Sequence, residues 1–206
     1  MIDLSRFSAI IFDFDGVIAD SESLQARAWT KLANELGVSR HVQAGEIVGR
    51  LDRDIGPELF PDVDAAWCLD RKNCLEMELI NAGELEAIKH VDRVLDRVIA
   101  THKIAICSSS PRSIIHDRLH RLGLSKYFEI IVGRSDVKRH KPAPDPYIEV
   151  LKRLDLPSTA ACVIEDSPTG VTAARAAELF TIQLLHDGMP RAEGANAVIR
   201  SYEELL

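Results

Sequence analysis

The sequence lacks the features of secreted, membrane-spanning and disulfide-stabilised proteins. It has 4 cysteines in 206 residues, and none of them belongs to a C-x-x-C pair. We therefore expect reduced, mostly buried thiols rather than a disulfide framework. No apolar run approaches the roughly 18 residues that a membrane span needs. The first residues, MIDLSRFSA, lack the basic and then apolar layout of a secretory signal, so a cytoplasmic protein is expected.

An excess of positive charge is absent as well. The chain has 25 lysines and arginines against 32 aspartates and glutamates, which gives a net charge of −7, and it has no basic tail. Nucleic acid and anionic membranes are therefore not expected as partners. The glycine-rich phosphate loops of nucleotide-binding proteins are missing too, so the sequence does not indicate the use of ATP. A small anionic substrate remains compatible with this composition where local groups reverse the sign.

The most informative residues that are present form a carboxylate pair at the end of a strand. Residues 9–20 read AIIFDFDGVIAD, an apolar run of β type that ends on Asp13 and Asp15. Alternate residues of an extended chain share a face, so both carboxylates can meet there, and Gly16 lets the backbone turn sharply. Like charges packed together are costly unless a cation or a proton lies between them. The pair therefore indicates chemistry, and a plain turn after a buried strand is the alternative.

The rest of the chain predicts strands that alternate with helices. The predicted strands are residues 7–14, 103–107, 128–132, 160–164, 180–185 and 197–199. The predicted helices are residues 21–36 with Ser21 as the N-cap, several pieces within 38–90, then 94–100, 111–122, 147–154 and 168–177, and a short helix capped by Ser201. This alternation is typical of a parallel sheet in an α/β protein.

We expect two domains. Residues 1–19 and 91–206 are predicted to form a Rossmann-like α/β catalytic core, and residues 20–90 a small all-α cap inserted after the first strand. Four polar side chains of the cap are candidates for reaching a substrate: Gln25, Arg50, Arg53 and Lys72. The alternative for each of them is a solvated helix face.

Four strand ends of the predicted core carry polar groups of complementary kinds. From the first strand to the fourth they are Asp13 with Asp15, Ser108 with Ser109, Lys141 in the KPAPDP loop, and Glu165 with Asp166. Helix caps, an acidic first turn and a surface lysine are the alternatives when each is taken alone. Because parallel strands present their carboxyl ends to one crevice, we expect these groups to lie together. Oxygen ligands suit Mg²⁺, and a lysine with a hydroxyl suits phosphate, so the set predicts phosphoryl transfer.

Four segments of the sequence resemble the motifs of one family. FDFDGVIADSE, CSSSP, KPAPDPY and EDSPTGVTAA are similar to the four motifs of the haloacid dehalogenase (HAD) superfamily, in the β-phosphoglucomutase and phosphoglycolate phosphatase-like subgroup with a helical cap after the first motif. The similarity spans nearly the whole chain. It implies a Mg²⁺-dependent phosphatase that hydrolyses a small phosphorylated metabolite through an aspartyl-phosphate. The segment ELEAI, residues 84–88, also resembles relatives that act on sugar-acid phosphates such as 6-phosphogluconate.

The resemblance implies a role for each motif residue. Asp13 would be the nucleophile, and Asp15 the general acid and then the general base. The implied Mg²⁺ ligands are Asp13, the backbone carbonyl of Asp15, Asp166, and Glu165 as a ligand or as support for one. The implied phosphate contacts are Ser108, Lys141 and the backbone amides near Gly16 and Ser109.

Several departures from the family bear on the reaction. Mutase members carry a histidine where this chain has Gln25 and an arginine where Asp52 falls, so hydrolysis is favoured over a phosphosugar mutase. Glu178 stands where a helix-ending glycine is usual. A receiver-like phospho-acceptor domain is disfavoured by the insertion, and a catalytically silent binding module by the intact motif residues. His116 and His120 have zinc-like i, i+4 spacing, but a solvated helix face is the favoured interpretation. The sequence does not predict an oligomeric state, and it is compatible with a monomer.

Overall fold

The structure, a computed structural model, describes residues 2–47, 50 and 52–206. The chain forms two compact units, one built from residues up to 19 and from 87 onward, the other from residues 20–86. The sequence predicts the second of these boundaries at residue 90, four residues later. No helix among the described residues has both the length and the apolar character needed to cross a membrane.

The first unit contains a six-stranded sheet in which every neighbouring pair is parallel. The strands are β1 Ala9–Phe12, β2 Lys103–Cys107, β3 Ile130–Val132, β4 Ala161–Glu165, β5 Phe180–Leu184 and β6 Ala197–Ile199. Their order is β3-β2-β1-β4-β5-β6, so β1 lies in the middle. β1 and β4 are buried along their whole length, as expected for strands covered on both faces. The predicted α/β fold is confirmed.

Among the described residues of the second unit the regular secondary structure is helical, and turns and loops connect the helices. Its helices are α1 Ser21–Glu35, α2 Ala44–Ile47, α3 Asp52–Leu59 and α4 Ala65–Asn81. α4 packs against both α1 and α3. Trp29 and Leu32 of α1 are completely buried, so the apolar face of this helix supplies the centre of the unit.

The helices of the first unit cover the sheet. They are α5 Val91–Val98, α6 Arg112–Arg121, α7 Asp145–Leu154 and α8 Pro168–Ala176, with short 3₁₀ turns at Ser125–Tyr127, Arg134–Asp136, Ser158–Ala160 and Tyr202–Leu205. Tyr147 and Val150 of α7 and Ala173 of α8 join the buried cluster on one face of the sheet. α6 begins directly after the end of β2, which places its first turn at the carboxyl edge of the sheet.

The two connections to the helical unit run side by side. Within the first unit, Ala19 forms an isolated antiparallel bridge with Ala87. Within the helical unit, the N–H of Asp20 donates to the carbonyl of Glu86 at 2.9 Å. The chain therefore leaves the sheet and returns to it at neighbouring points.

Some local predictions are wrong in instructive ways. The first helix is capped by Asp20, whose carboxylate accepts from the N–H of Ser23 at 3.2 Å, whereas Ser21 is the first helical residue. A carboxylate at this position also interacts favourably with the helix dipole. β1 ends at Phe12 rather than at residue 14, because the carbonyl of Phe14 accepts from the N–H of Ile18 in the following turn.

One turn and the state of the cysteines resolve two other details of the sequence. Glu178 adopts a left-handed φ of 60°, the backbone conformation that the glycine of related proteins would take without steric cost. All four cysteines are free thiols. Cys68, Cys107 and Cys162 are buried, whereas Cys74 is exposed.

Candidate active site

Lys141 joins three strand ends at the carboxyl edge of the sheet. Its Nζ donates to Asp13 Oδ1 at 2.7 Å, to Glu165 Oε1 at 2.6 Å and to the carbonyl of Cys107 at 2.9 Å. These acceptors follow β1, end β4 and end β2 in turn. Residues that the sequence places on separate motifs are therefore in direct contact. The negative charges of Asp13 and Glu165 raise the pKa of Lys141 well above its usual value, although burial alone would lower this pKa.

The turn after β1 brings Asp13 and Asp166 close together. The N–H of Asp13 donates to the carbonyl of Ile164 at 2.9 Å, which extends the sheet by one residue. Gly16 has a φ of 74°, and a Cβ on it would lie 2.2 Å from Asp166 Oδ2. Glycine is therefore required here for its backbone conformation and for the close approach. The N–H of Gly16 donates to the carbonyl of Ala19 at 2.9 Å, so this amide, which the sequence predicts to contact phosphate, already has an acceptor.

Three carboxylates form a cluster with metal-binding spacing. One oxygen from each of Asp13, Glu165 and Asp166 lies within 4.8 Å of the others, and all three residues are buried. Burial raises the pKa of Asp13 and the charges of Glu165 and Asp15 add to the rise, while Lys141 opposes it. Hard oxygen donors gathered in this way fit Mg²⁺, and a divalent cation would relieve the repulsion among them.

Glu165 is saturated with hydrogen bonds from the protein. Its Oε1 accepts from Lys141 and from the Tyr147 hydroxyl at 2.9 Å, and its Oε2 accepts from the N–H and the hydroxyl of Ser167, both at 3.1 Å. The side chain is completely buried. Four donors leave Glu165 little capacity for a cation, so this arrangement favours support of Lys141 over direct metal binding.

Gly170 allows the first turn of α8 to approach Glu165. A Cβ on Gly170 would lie 1.7 Å from Glu165 Oε1. We expect Gly170→Ala to displace the glutamate and with it Lys141, which lowers kcat/KM by at least about tenfold and the free energy of unfolding by about 1 to 3 kcal/mol. Steady-state kinetics and thermal unfolding measure the two effects. Gly45→Ala, the same change at an exposed helical glycine, should leave both unchanged or stabilise slightly, and equal behaviour of the two variants would contradict the packing argument.

The carboxylate of Asp15 lies outside the three-carboxylate cluster. Its Oδ2 accepts from the Ser110 hydroxyl at 2.7 Å, and its Oδ1 accepts from Arg118 Nη1 at 3.1 Å. Contact with a metal through its backbone carbonyl stays a prediction. A carboxylate that is held near the cluster without belonging to it is suited to proton transfer.

The serines after β2 lie at the same edge of the sheet. Ser108 is buried, and its Oγ accepts from the N–H of Ser110 at 3.0 Å. Ser109 is exposed. Ser108 directly follows Cys107, whose carbonyl accepts from Lys141, so the chain places the two residues in neighbouring positions of the site.

The candidate substrate residues of the helical unit have different surroundings. Gln25 is half-buried, and Arg53 is exposed near Asp54. Arg50 forms an ion pair with Glu58. Lys72 is buried and donates to Asp52 Oδ2 at 2.7 Å and to Glu76 Oε2 at 2.8 Å, so the alternative of a solvated helix face is wrong for this residue. His116 and His120 are both exposed on α6.

Sequence reasoning missed several residues that hold the site together. Tyr147 lies within the KPAPDPY segment, which gave a usable signal. Ser110 and Arg118 contact Asp15, and His186 donates to the carbonyl of Gly16 at 2.6 Å. These contacts join residues about 95 to 170 positions apart, and no local pattern identifies them.

Comparison with known proteins identifies the family of the chain. The family described as "Haloacid dehalogenase-like hydrolase" matches residues 10–184. A phosphorylated carbohydrates phosphatase of Thermotoga maritima is 32% identical over 96% of both chains. The fructose-1-phosphate phosphatase YqaB of Escherichia coli is 29% identical over 87% of this chain and 97% of its own. The crystal structure of a HAD family hydrolase from Deinococcus radiodurans with bound phosphate and sodium is 29% identical, with a TM-score of 0.79 over 98% of this chain and 94% of that one. The chain therefore belongs to the haloacid dehalogenase-like hydrolase family, as its four motif segments indicate.

Proposed function

We propose that this HAD-type phosphatase hydrolyses the phosphate ester of a small phosphorylated carbohydrate in a Mg²⁺-dependent reaction. The contact of Lys141 Nζ with Asp13 Oδ1 at 2.7 Å, beside a cluster of three carboxylates, carries this proposal. Positive charge next to a carboxylate nucleophile is what attack on a phosphate dianion requires, because the two anions otherwise repel each other. The names of the relatives, both phosphatases of phosphorylated sugars, support the substrate class.

The reaction proceeds in two displacements at phosphorus. An oxygen of Asp13 attacks phosphorus and forms an aspartyl-phosphate, while the bond from phosphorus to the sugar oxygen breaks and Asp15 gives that oxygen a proton. Asp15 then takes a proton from a water molecule. This water attacks phosphorus, the bond from phosphorus to the Asp13 oxygen breaks, inorganic phosphate leaves, and the Asp13 carboxylate is restored.

The other residues of the site supply charge and position. Mg²⁺, when bound by Asp13, Asp166 and the carbonyl of Asp15, offsets the negative charge of the phosphoryl group. Lys141 and the hydroxyl of Ser108 bind phosphoryl oxygens, helped by the backbone amide near Ser109, since the N–H of Gly16 donates to the carbonyl of Ala19. Glu165 holds Lys141 in place through Oε1. These residues neutralise and orient the phosphoryl group, which is most of what phosphoryl transfer asks of a protein.

The helical unit, residues 20–86, is proposed to select the substrate. Gln25, Arg50 and Arg53 remain its candidate contacts, and sugar-acid phosphates such as 6-phosphogluconate are candidate substrates beside sugar phosphates. A mutase is disfavoured, because Gln25 and Asp52 replace the histidine and arginine that mutases of this family carry. The Asp52 carboxylate is also ion-paired with Lys72.

A phosphatase screen with the full chain tests the proposal. Fructose 1-phosphate, glucose 6-phosphate, 6-phosphogluconate, phosphoglycolate and p-nitrophenyl phosphate would be assayed for release of phosphate with Mg²⁺ and with EDTA. We expect release with Mg²⁺, a fall of about 10²-fold or more with EDTA, and recovery when Mg²⁺ is added back.

Thermal unfolding supplies a readout that is independent of turnover. Mg²⁺ should raise the Tm of the wild-type chain, because a ligand that binds only the folded state stabilises it, and Asp166→Asn should weaken this rise. Phosphate release that EDTA does not diminish would contradict the metal requirement. Isomerisation of a phosphosugar without release of phosphate would instead identify a mutase.

A further inference from the structure

Two residues to which the family resemblance assigns no role, Ser110 in the CSSSP segment and Arg118 beyond it, hold the carboxylate of Asp15. The hydroxyl of Ser110 donates to Oδ2 at 2.7 Å, and Arg118 Nη1 donates to Oδ1 at 3.1 Å. Ser110 precedes α6, and Arg118 lies on this helix. Each carboxylate oxygen thus has a donor from the same segment of the chain, and two attachments fix the plane of the carboxylate, whereas one would let it rotate.

The N–H and the carbonyl of Ser110 both form hydrogen bonds that hold this residue in place. Its N–H donates to Ser108 Oγ at 3.0 Å, and its carbonyl accepts from the N–H of Arg134 at 3.0 Å. Gly133 passes so closely that a Cβ on it would lie 2.9 Å from the same carbonyl. The position of the Ser110 hydroxyl is therefore set before any substrate binds, which is the kind of preorganisation that a proton-transfer group needs.

Arg118 is an unusual choice for a mere surface contact. The Arg118 side chain is 11% exposed, whereas that of Asp15 is 29% exposed. Placing a long cationic side chain so deeply costs side-chain entropy and hydration, although Asp15 could find donors in the solvent. This cost is explained if the ion pair with Arg118 serves to orient the Asp15 carboxylate and not only to replace its hydration.

We infer that Ser110 and Arg118 are positioning residues that aim the Asp15 carboxyl group at the leaving oxygen of the substrate. The inference rests on the proposed function, since it requires Asp15 to be the proton donor to that oxygen. Neither residue is proposed to touch the phosphoryl group. Their effect is exerted through Asp15, and it is largest where the leaving oxygen depends most on a proton.

This dependence provides the test. Arg118→Ala, Arg118→Lys and Ser110→Ala would be compared with wild type on p-nitrophenyl phosphate and on a sugar phosphate. The nitrophenolate leaves readily without a proton, whereas an alkoxide does not. We expect kcat/KM for the sugar phosphate to fall by about 10- to 100-fold in Arg118→Ala and Ser110→Ala. The fall in kcat/KM for the aryl ester should be smaller than this by a factor of at least about 5.

If Ser110 and Arg118 only stabilised the fold, each substitution would lower kcat/KM for both esters by the same factor. The ratio of the two kcat/KM values would then stay at its wild-type value. Arg118→Lys should recover part of the loss, because a lysine can still place a cationic donor near Oδ1. Arg121→Ala, which changes the same residue type one turn further along α6 where it pairs with Asp117, should retain the wild-type ratio. If Arg118→Ala does not fold, Ser110→Ala and Arg118→Lys still decide the matter.

An equal fall for both esters, or no fall for either, would overturn the inference. It would leave the proposed function intact, provided that wild type still releases phosphate with Mg²⁺. Loss of phosphatase activity in wild type itself would instead remove the proposed function and this inference together.

Discussion

Asp13→Asn is expected to abolish turnover while the protein stays folded. The carboxamide has the size of the carboxylate and can still accept from Lys141 Nζ, which lies 2.7 Å from Asp13 Oδ1. It cannot, however, act as the nucleophile toward phosphorus. We expect kcat to fall on the order of 10³-fold or more, as for other nucleophiles removed from a preorganised site. Release of phosphate measured with Mg²⁺ gives the effect.

Thermal unfolding separates this loss from misfolding. Asp13 is one of three clustered carboxylates, so neutralising it removes repulsion in the metal-free protein. The Tm of the metal-free variant should therefore match or exceed that of wild type. Asp70→Asn, at an exposed position on α4, is the matched control and should keep full activity. Turnover near the wild-type rate in Asp13→Asn would reject Asp13 as the nucleophile.

Lys141→Met is expected to damage both stability and catalysis. It leaves Asp13 and Glu165 buried without the ammonium that contacts both of them. Removing one partner of a buried ion pair costs about 3 to 5 kcal/mol, which corresponds to roughly 6 to 20 °C in Tm for a chain of this size. Phosphatase activity should be lost as well, because the charge opposite the phosphoryl group is gone. Lys138→Met, in the same loop but at an exposed position, should change neither property.

A double-mutant cycle checks that the charges are the cause. In the Asp13→Asn background one fewer carboxylate is left without its cation, so Lys141→Met should lower the Tm by clearly less than in wild type. Equal costs in the two backgrounds would mean that the contact of Lys141 with Asp13 does not contribute to stability, and that the lysine acts through Glu165 or through packing.

The sheet was predictable because its strands are largely apolar runs, and because β1, β2 and β4 stop at or next to polar residues. β2 and β6 agree with the sequence prediction at both ends, and the motif residues gather because the carboxyl ends of parallel strands share one edge. The strand limits near the site were harder. β1 is shorter than its apolar run, since the carbonyl of Phe14 accepts hydrogen bonds from the following turn. The hydrophobicity of the residues does not show whether the strand or the turn takes these hydrogen bonds.

Contacts between distant segments could not be predicted. Arg118 reads as part of a polar helix face until the fold brings Asp15 beside it, 103 positions away. Lys72 reads as a solvated lysine, because lysines are rarely buried without partners. Glu76 is one turn away and could have been noticed, but Asp52 is 20 positions away. The contacts of Arg118 with Asp15 and of Lys72 with Asp52, which lie outside the motif pattern, are therefore known only from the structure.

The adjacency of the two connections at Ala19 and Ala87 has an evolutionary consequence. Because the isolated bridge between Ala19 and Ala87 already holds these two points together, a shorter, longer or unrelated segment could join them at little cost in closure entropy. Residues 20–86 can then change in evolution, and with them the substrate that the protein recognises. Asp13 and Asp166 keep their positions relative to each other.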